Sequence, residues 1–396
     1  GSTVFANLIA GLSVNNGGTV TGTGKDANHW SCSVSLDGGA LYRFTMRARQ
    51  ADGSGCVISG TETVNHDWRL SNRWETREFV FRTPDGPGAT RLRLGQWEAR
   101  GTVQFDAVSL TPVLPVHASL GGLVLGEGEM LRGGRYQFRA GLGGPATNYH
   151  RPLQRATAHF NTDRWCFGPG SEVVYRFALP GAALRPVSAA VNVNYHVGGA
   201  CVVEISNDAQ AWTTLGRLDR PGALDMAETA KNLAPAATFF LRLRAGDGPA
   251  NFQVNQIEFA AEAEFAAPAP APGELSGATW FAEVTRPSAA LVADAIFYEP
   301  IGADGASALL LTAHQTGSGD LAAELSAAAV DAKLDSHPLG VARAQLDAGR
   351  PASFRVPLPR QVPSDQGVTL RLEAGNAEPL ELFVAIRTHE YYRTDY

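Results

Sequence analysis

The chain has 396 residues, 44% of them hydrophobic, so it can bury real cores and holds two to four domains of ordinary size. Its net charge of −6 argues against nucleic acid as the main partner, and no apolar run of about 18 residues marks a membrane span. No CxxC, HExxH, GxSxG, P-loop or dinucleotide fingerprint occurs, so the common zinc, hydrolase and nucleotide chemistries have no motif here.

No signal peptide opens the chain; Gly1-Ser2 reads as a tag scar or a processed N-terminus. Residues 3–36 supply the first strands. Residues 41–49 then alternate, with Tyr42, Phe44 and Met46 on one face and Arg43, Thr45 and Arg47 on the other. A turn at 51–55 leads to Cys56-Val57-Ile58, and further strands are read at 74–82, 91–94 and 101–110, separated by Gly/Pro/Asp turns. Leu92, Leu94 and Gln96 share a face, while Arg91, Arg93 and Trp97 share the opposite one. A large aromatic on the arginine-bearing side of a strand is not where a core needs it. Sugars lie with their C–H face on an indole while planar polar groups reach their hydroxyls. Trp97, Trp68 and Trp30 are therefore the platform candidates, each against the alternative of a partly buried sandwich tryptophan, which fits Trp30 better; Arg93 stands beside Trp97, and Trp74 is expected in the core.

These pieces, in this order over residues 1–113, resemble the carbohydrate-binding modules of the family 4/9/16/22 type. Shared are a Y-x-F strand (Tyr42, Phe44), a W-x-x-x-x-F-x-F strand (Trp74, Phe79, Phe81), an L-R-L run (Leu92–Leu94) and a closing D-x-V-S-L (Asp106, Val108, Ser109, Leu110). The resemblance implies a jelly-roll sandwich of the kind appended to polysaccharide-degrading enzymes. Asn7-Leu8-Ile9 resembles the family's opening, but the glutamate that often ligates structural calcium in relatives is missing at Gly11-Leu12-Ser13-Val14. Asp106 stands where the second calcium carboxylate would. One hard ligand is too few for an ion that takes about six to eight, so no cofactor is expected and structural calcium is not favoured.

Residues 114–117 read as a short link to a second sandwich over 118–264. Its turn Ser206–Trp212 resembles the S-x-D-G-x-x-W turn of galactose-binding-like (discoidin-like) sandwiches, with Ala209 in place of the glycine. The loop containing Tyr149 and His150, and the segment Asp163-Arg164-Trp165, are read as ligand loops or ordinary loop anchors. Alternating Ala-Pro over 265–274 favours an extended spacer. Beyond it, 275–396 reads as an immunoglobulin-like sandwich. There the alanine-rich stretch 321–334 could be a helix or edge strands. The tail ending in Tyr391, Tyr392 and Tyr396 suggests docking or a chain that continues into a missing C-terminal catalytic region.

The fold class expected is all-β, three β-sandwich (jelly-roll and immunoglobulin-like) domains in series. Cysteines fall two by two, Cys32 with Cys56 and Cys166 with Cys201, so two intradomain disulfides in an extracellular protein are expected, against four buried thiols. The function expected is extracellular carbohydrate binding without cleavage, alone or as the accessory region of a secreted polysaccharide-degrading enzyme. The partner is a polysaccharide, acidic if the arginines beside Trp97 serve it and are not simply a solvated face. Two alternatives stand beside this. One is a structural or adhesive subunit of a bacterial surface layer or filament, with self-association. The other is a sandwich-fold glycosidase or lyase, whose two carboxylates could come from anywhere in a sheet.

Overall fold

The structure, a computed structural model, describes residues 13–14, 18–85, 88–144, 148–230, 232–266, 274–300, 307–331, 333, 335–358 and 367–385. The expectations for residues 7–12, for most of the Ala-Pro spacer and for the tyrosine-rich tail fall outside these. Strand is almost the only regular secondary structure of the described residues, with one helical turn at Ala227–Ala230. By density of contacts the chain divides into two units. Residues 1–112 join 134–267, and residues 113–133 join 268–396.

The first unit holds two sandwiches. In the first, Leu41–Gln50 pairs with Glu75–Arg82, and Gly18–Thr23 with Arg100–Leu120, forming one sheet's ladders. Ala27–Leu36, Gly88–Trp97, Cys56–Thr61 and Val64–Trp68 form the facing sheet. The alternation read in the sequence is the cause: Tyr42, Phe44, Met46, Leu92 and Leu94 are buried between the sheets while their neighbours face out. In the second sandwich, Arg135–Arg139, Arg164–Phe167, Asn251–Phe265 and Ala182–Gly198 form one layer. A five-stranded sheet forms the other, in the order Leu153–Ala156, Glu172–Phe177, Phe239–Ala245, Cys201–Ser206, Thr213–Leu218. Rings fill the space between: Phe177 stacks on Phe259 at 4.1 Å, and Phe138 meets Tyr175 at 5.4 Å.

The second unit packs two layers of strands around Leu291, Ile296, Leu325, Phe354, Leu370 and Leu382. The alanine-rich stretch is a strand, Leu321–Val330, because its burial alternates residue by residue and Ala323, Ala327 and Ala329 fill a closely packed interior. Residues 114–117 are not a link. They belong to the strand Arg100–Leu120 and pair with Thr279–Arg286, Val116 opposite Trp280. Val113 and Val116 supply the buried side chains that make this a strand despite Pro112 and Pro115.

The expected disulfides are absent: Cys32, Cys56, Cys166 and Cys201 are all free thiols. Cys32 lies opposite Leu92 and Cys56 opposite Trp97. Five strand residues separate those partners, roughly 16 Å of rise, whereas bridged α-carbons stand at most about 7 Å apart. Cys32 also faces the interior with Leu92, while Cys56 shares the outer side with Trp97. In the second pair, Cys201 is fully buried, whereas Cys166 alternates with buried Trp165 and Phe167 and so faces outward. Burial pushes the Cys56 and Cys166 thiols up to about 11 and the Cys201 thiol up to about 12.

Candidate functional site

The two sandwiches of the first unit share a sheet. Val64–Trp68 is a short strand whose far side needs a partner, and His159–Asn161 pairs with it in parallel, Phe160 beside Val64 and Asn161 beside Asn65. Phe160 N–H donates to Thr63 O at 2.8 Å and Thr162 N–H to Asn65 O at 2.9 Å, the slanted ladder of a parallel pair. Side chains reinforce it. Asn65 Nδ2 donates to Asn161 Oδ1 at 3.1 Å and to Asp67 Oδ1 at 2.7 Å. The Thr162 hydroxyl donates to Asn161 Oδ1 at 2.8 Å and accepts from Asp67 N–H at 3.0 Å. Thr162 holds a φ of 59°, which a β-branched residue rarely adopts. Those bonds hold the strained turn in place. A second joint lies below, where buried Asn148 accepts from Arg82 N–H at 2.7 Å and donates to Arg82 O at 2.9 Å.

The registers turn this seam into one outward face. Ser31, Arg93, Gly60, Asn65, Asn161 and Arg164 lie in a single line across six strands. The next line carries His29, Gly95, Ile58 and Asp67, and the one beyond it Trp97 and Cys56. Gly60 is obligatory: its φ is 128°, and a Cβ there would stand 2.2 Å from Val64 O. With no side chain at Gly60, nothing on that strand stands between Arg93 and Asn65.

The polar groups of this face are held in place. Arg93 donates to Thr61 O at 2.8 Å, and burial lowers its pKa from the ordinary arginine value against the pull of Glu62 and Asp67. Burial, then the charges of Arg93 and Arg91, lowers His29 and keeps its imidazole neutral at pH 7. Arg164 pairs with Asp163 at 2.8 Å and reaches Asp67 at 3.8 Å. Trp97 is 54% exposed at the rim. Beyond the seam, Cys166 pairs with Gln253 and Gln253 with Tyr195, which is 45% exposed. Trp97 and Tyr195 stand six strands apart, roughly 29 Å across the sheet at the usual interstrand spacing, and three rows apart along the strands.

The other expected site residues fall elsewhere. Trp30 faces inward, its ring against Gly18 and bounding a small cavity with Phe44, Leu94 and Val108. Trp68 also points inward. It stacks on His66 at 3.8 Å and donates to Ser59 Oγ at 2.9 Å. Trp165 has 0% exposure; it meets Phe160 edge-on and donates to the Tyr175 hydroxyl at 3.2 Å, so it offers no face to a ligand. His150 is buried against Phe138, which leaves it unable to touch a glycan, while Tyr149 is half-buried. Trp74, expected in the core, is 37% exposed, with the guanidinium carbons of Arg47 and Arg49 at 5.0 and 4.9 Å from its ring. Arg47 in turn holds Asp106 by two hydrogen bonds, so the carboxylate at the position where the resembled family has its second calcium ligand is an ion-pair partner here. Among the described residues, no cluster of three or more His, Cys, Asp or Glu is placed to hold a metal, and no helix is long and apolar enough to cross a membrane.

No protein-family model matches the chain, and no curated protein matches it. Among solved structures it is similar to a GH2 beta-galacturonidase from Eisenbergiella tayi, at 13% identity over 55% of this chain and 35% of that one, with a TM-score of 0.20. It is also similar to the N-terminal CBM22-1-CBM22-2 tandem domain of Paenibacillus barcinonensis Xyn10C, at 9% identity, 58% and 82% coverage and a TM-score of 0.20. A third is Bacteroides uniformis beta-glucuronidase 2, at 10% identity, 65% and 32% coverage and a TM-score of 0.19. The chain spans about a third of the length of each of the two glycosidases.

Proposed function

We propose that this chain is an extracellular carbohydrate-binding protein, or the accessory region of a secreted polysaccharide-degrading enzyme, and that it holds a glycan along the joined face without cutting it. The observation that carries this is the exposed Trp97 on the same side of one sheet as Arg93, His29, Asn65, Asp67, Asn161 and Arg164. An indole offers the platform for a sugar ring, and fixed amide, imidazole, guanidinium and carboxylate groups bind its hydroxyls. Each carboxylate of the face already engages an arginine: Asp67 and Asp163 with Arg164, and Glu62 with Arg91 at 3.8 Å. That arrangement suits positioning better than hydrolysis.

The test is retention of the intact chain on a panel of soluble and insoluble polysaccharides, repeated with Trp97→Ala. Losing the platform costs about 1–3 kcal/mol, roughly ten- to a hundredfold in affinity. If no retained glycan class is lost or weakened in Trp97→Ala, the site is refuted, and retention on none refutes the function. Reducing sugar released from any of them establishes a glycosidase instead, and concentration-dependent filaments would establish the structural subunit.

A further inference from the structure

The five-stranded sheet of the second sandwich presents its own outer face, with a charge opposite to that of the chain. Arg155, Arg176, Arg217, Arg242 and Arg244 stand on it beside only two strand carboxylates, Glu172 and Glu204, in a protein whose net charge is −6. The register sets them in rows. Arg155, Val174, Arg242, Glu204 and Thr214 lie in one line across all five strands; Glu172, Arg244, Val202 and Arg217 lie in the next; Arg176, Phe240 and Ser206 lie in a third.

This layer is built and oriented. Glu204 is 5% exposed and accepts from Arg242 Nε at 2.8 Å and from Arg244 Nε at 3.0 Å, so one buried carboxylate aligns two guanidiniums. Arg242 also lies over the Trp212 ring at 4.0 Å. Arg155 is tied to Glu172 at 2.6 Å. Beneath the long side chains, Val174, Val202 and Phe240 are buried on what is nominally the outer face, so the arginine stems form the floor's cover. Arg176 and Arg217 are exposed, and among the described residues their guanidiniums meet no carboxylate. They stand at opposite corners of the layer, on the second and fifth strands and two rows apart, roughly 20 Å from each other at the usual interstrand spacing and rise.

We infer that this face is a second binding surface, and that its ligand is a carboxylate-bearing polysaccharide. Guanidinium forks donate to carboxylates in pairs of parallel hydrogen bonds, and a fixed array of them suits charges repeated along a polymer. Nucleic acid, with a phosphate at every step, is disfavoured by the negative charge of the rest of the chain. The inference shares with the proposed function only the premise that the ligand is a glycan, since none of these residues is on the Trp97 face.

The experiment measures binding of the intact chain to polygalacturonate, with its fully methyl-esterified form and single-stranded DNA as comparison ligands, at low and high salt. Arg176→Gln with Arg217→Gln is the variant, because neither guanidinium holds a partner that folding needs; a melting curve confirms that it stays folded. Expected are binding to polygalacturonate weakened by salt, at least tenfold weaker in the double variant, unchanged in Trp97→Ala, and absent for the ester. Unchanged affinity in the double variant, equal binding of the ester, or DNA bound as tightly as polygalacturonate would each overturn the inference. Loss of polygalacturonate binding in Trp97→Ala alone would also overturn it, and would support the joined face instead.

Discussion

His150 makes acid stability a sharp test of the packing. Its imidazole is fully enclosed, bonded to the Gly141 carbonyl, and burial lowers its pKa from 6.5 to about 4. The folded protein therefore holds a neutral imidazole where the unfolded chain holds a charged one. Between pH 6.5 and pH 4 the unfolded state binds more protons, so stability falls as pH falls through that window and is not affected by this group above it. At 1.36 kcal/mol per unit, the loss is about 2 kcal/mol at pH 5 and about 3 kcal/mol below pH 4. The perturbation is His150→Gln, which keeps a donor for Gly141 and does not titrate. Urea melts from pH 7.5 to pH 5 should show the stability difference between wild type and variant shifting by about 2 kcal/mol in the variant's favour. Parallel pH curves for the two proteins would refute the reasoning, whatever their offset. His66, also lowered by burial, pulls both curves the same way and cancels in the difference.

Three further outcomes follow from named contacts. Asn148→Ala strips both partners from the Arg82 backbone at the lower joint, and should cost about 2–4 kcal/mol in a denaturation curve. Gly60→Ala forces a Cβ against Val64 O at a φ that disfavours any side chain; a loss above about 2 kcal/mol is expected, and full stability would contradict the hairpin geometry. Thiol titration without reductant should find all the cysteines reactive once the chain is denatured and sluggish at pH 8 when it is folded, whereas a shortfall in the denatured count would mean disulfides form after all.

Much of the fold was legible because a strand's two-residue period sorts its own side chains. The opposed faces of Tyr42-Phe44-Met46 and of Arg91-Arg93-Trp97 are those the structure shows, and the outward setting of Trp97 follows from Leu92 and Leu94 being buried. The same parity could have placed Trp165, which alternates with Arg164 and Cys166 and so had to point inward once Arg164 pointed out. Trp74 misled because it sits at a strand's opening, where arginines two residues apart on the neighbouring strand could reach its ring. Asn65, Asp67, Asn161 and Thr162 were missed for a different reason. What unites them is a parallel pairing between distant short segments, and neither Val64–Trp68 nor His159–Asn161 is long enough to announce a partner. Cysteine spacing likewise says nothing of which face of a strand a thiol occupies.

The seam has a consequence for how the chain comes to be folded at all. Asn65 and Asn161 meet across 96 positions of sequence. During synthesis the first sandwich leaves the ribosome well before its partner, with the backbone of Val64–Trp68 unpaired along one side. Such an edge recruits whatever extended chain it encounters, including a neighbouring copy. Closure from so far along the sequence is also slow, because the intervening loop must be ordered first. Residues 1–112 expressed alone would keep that edge open permanently, so the smallest well-behaved fragment of this half of the protein is the pair.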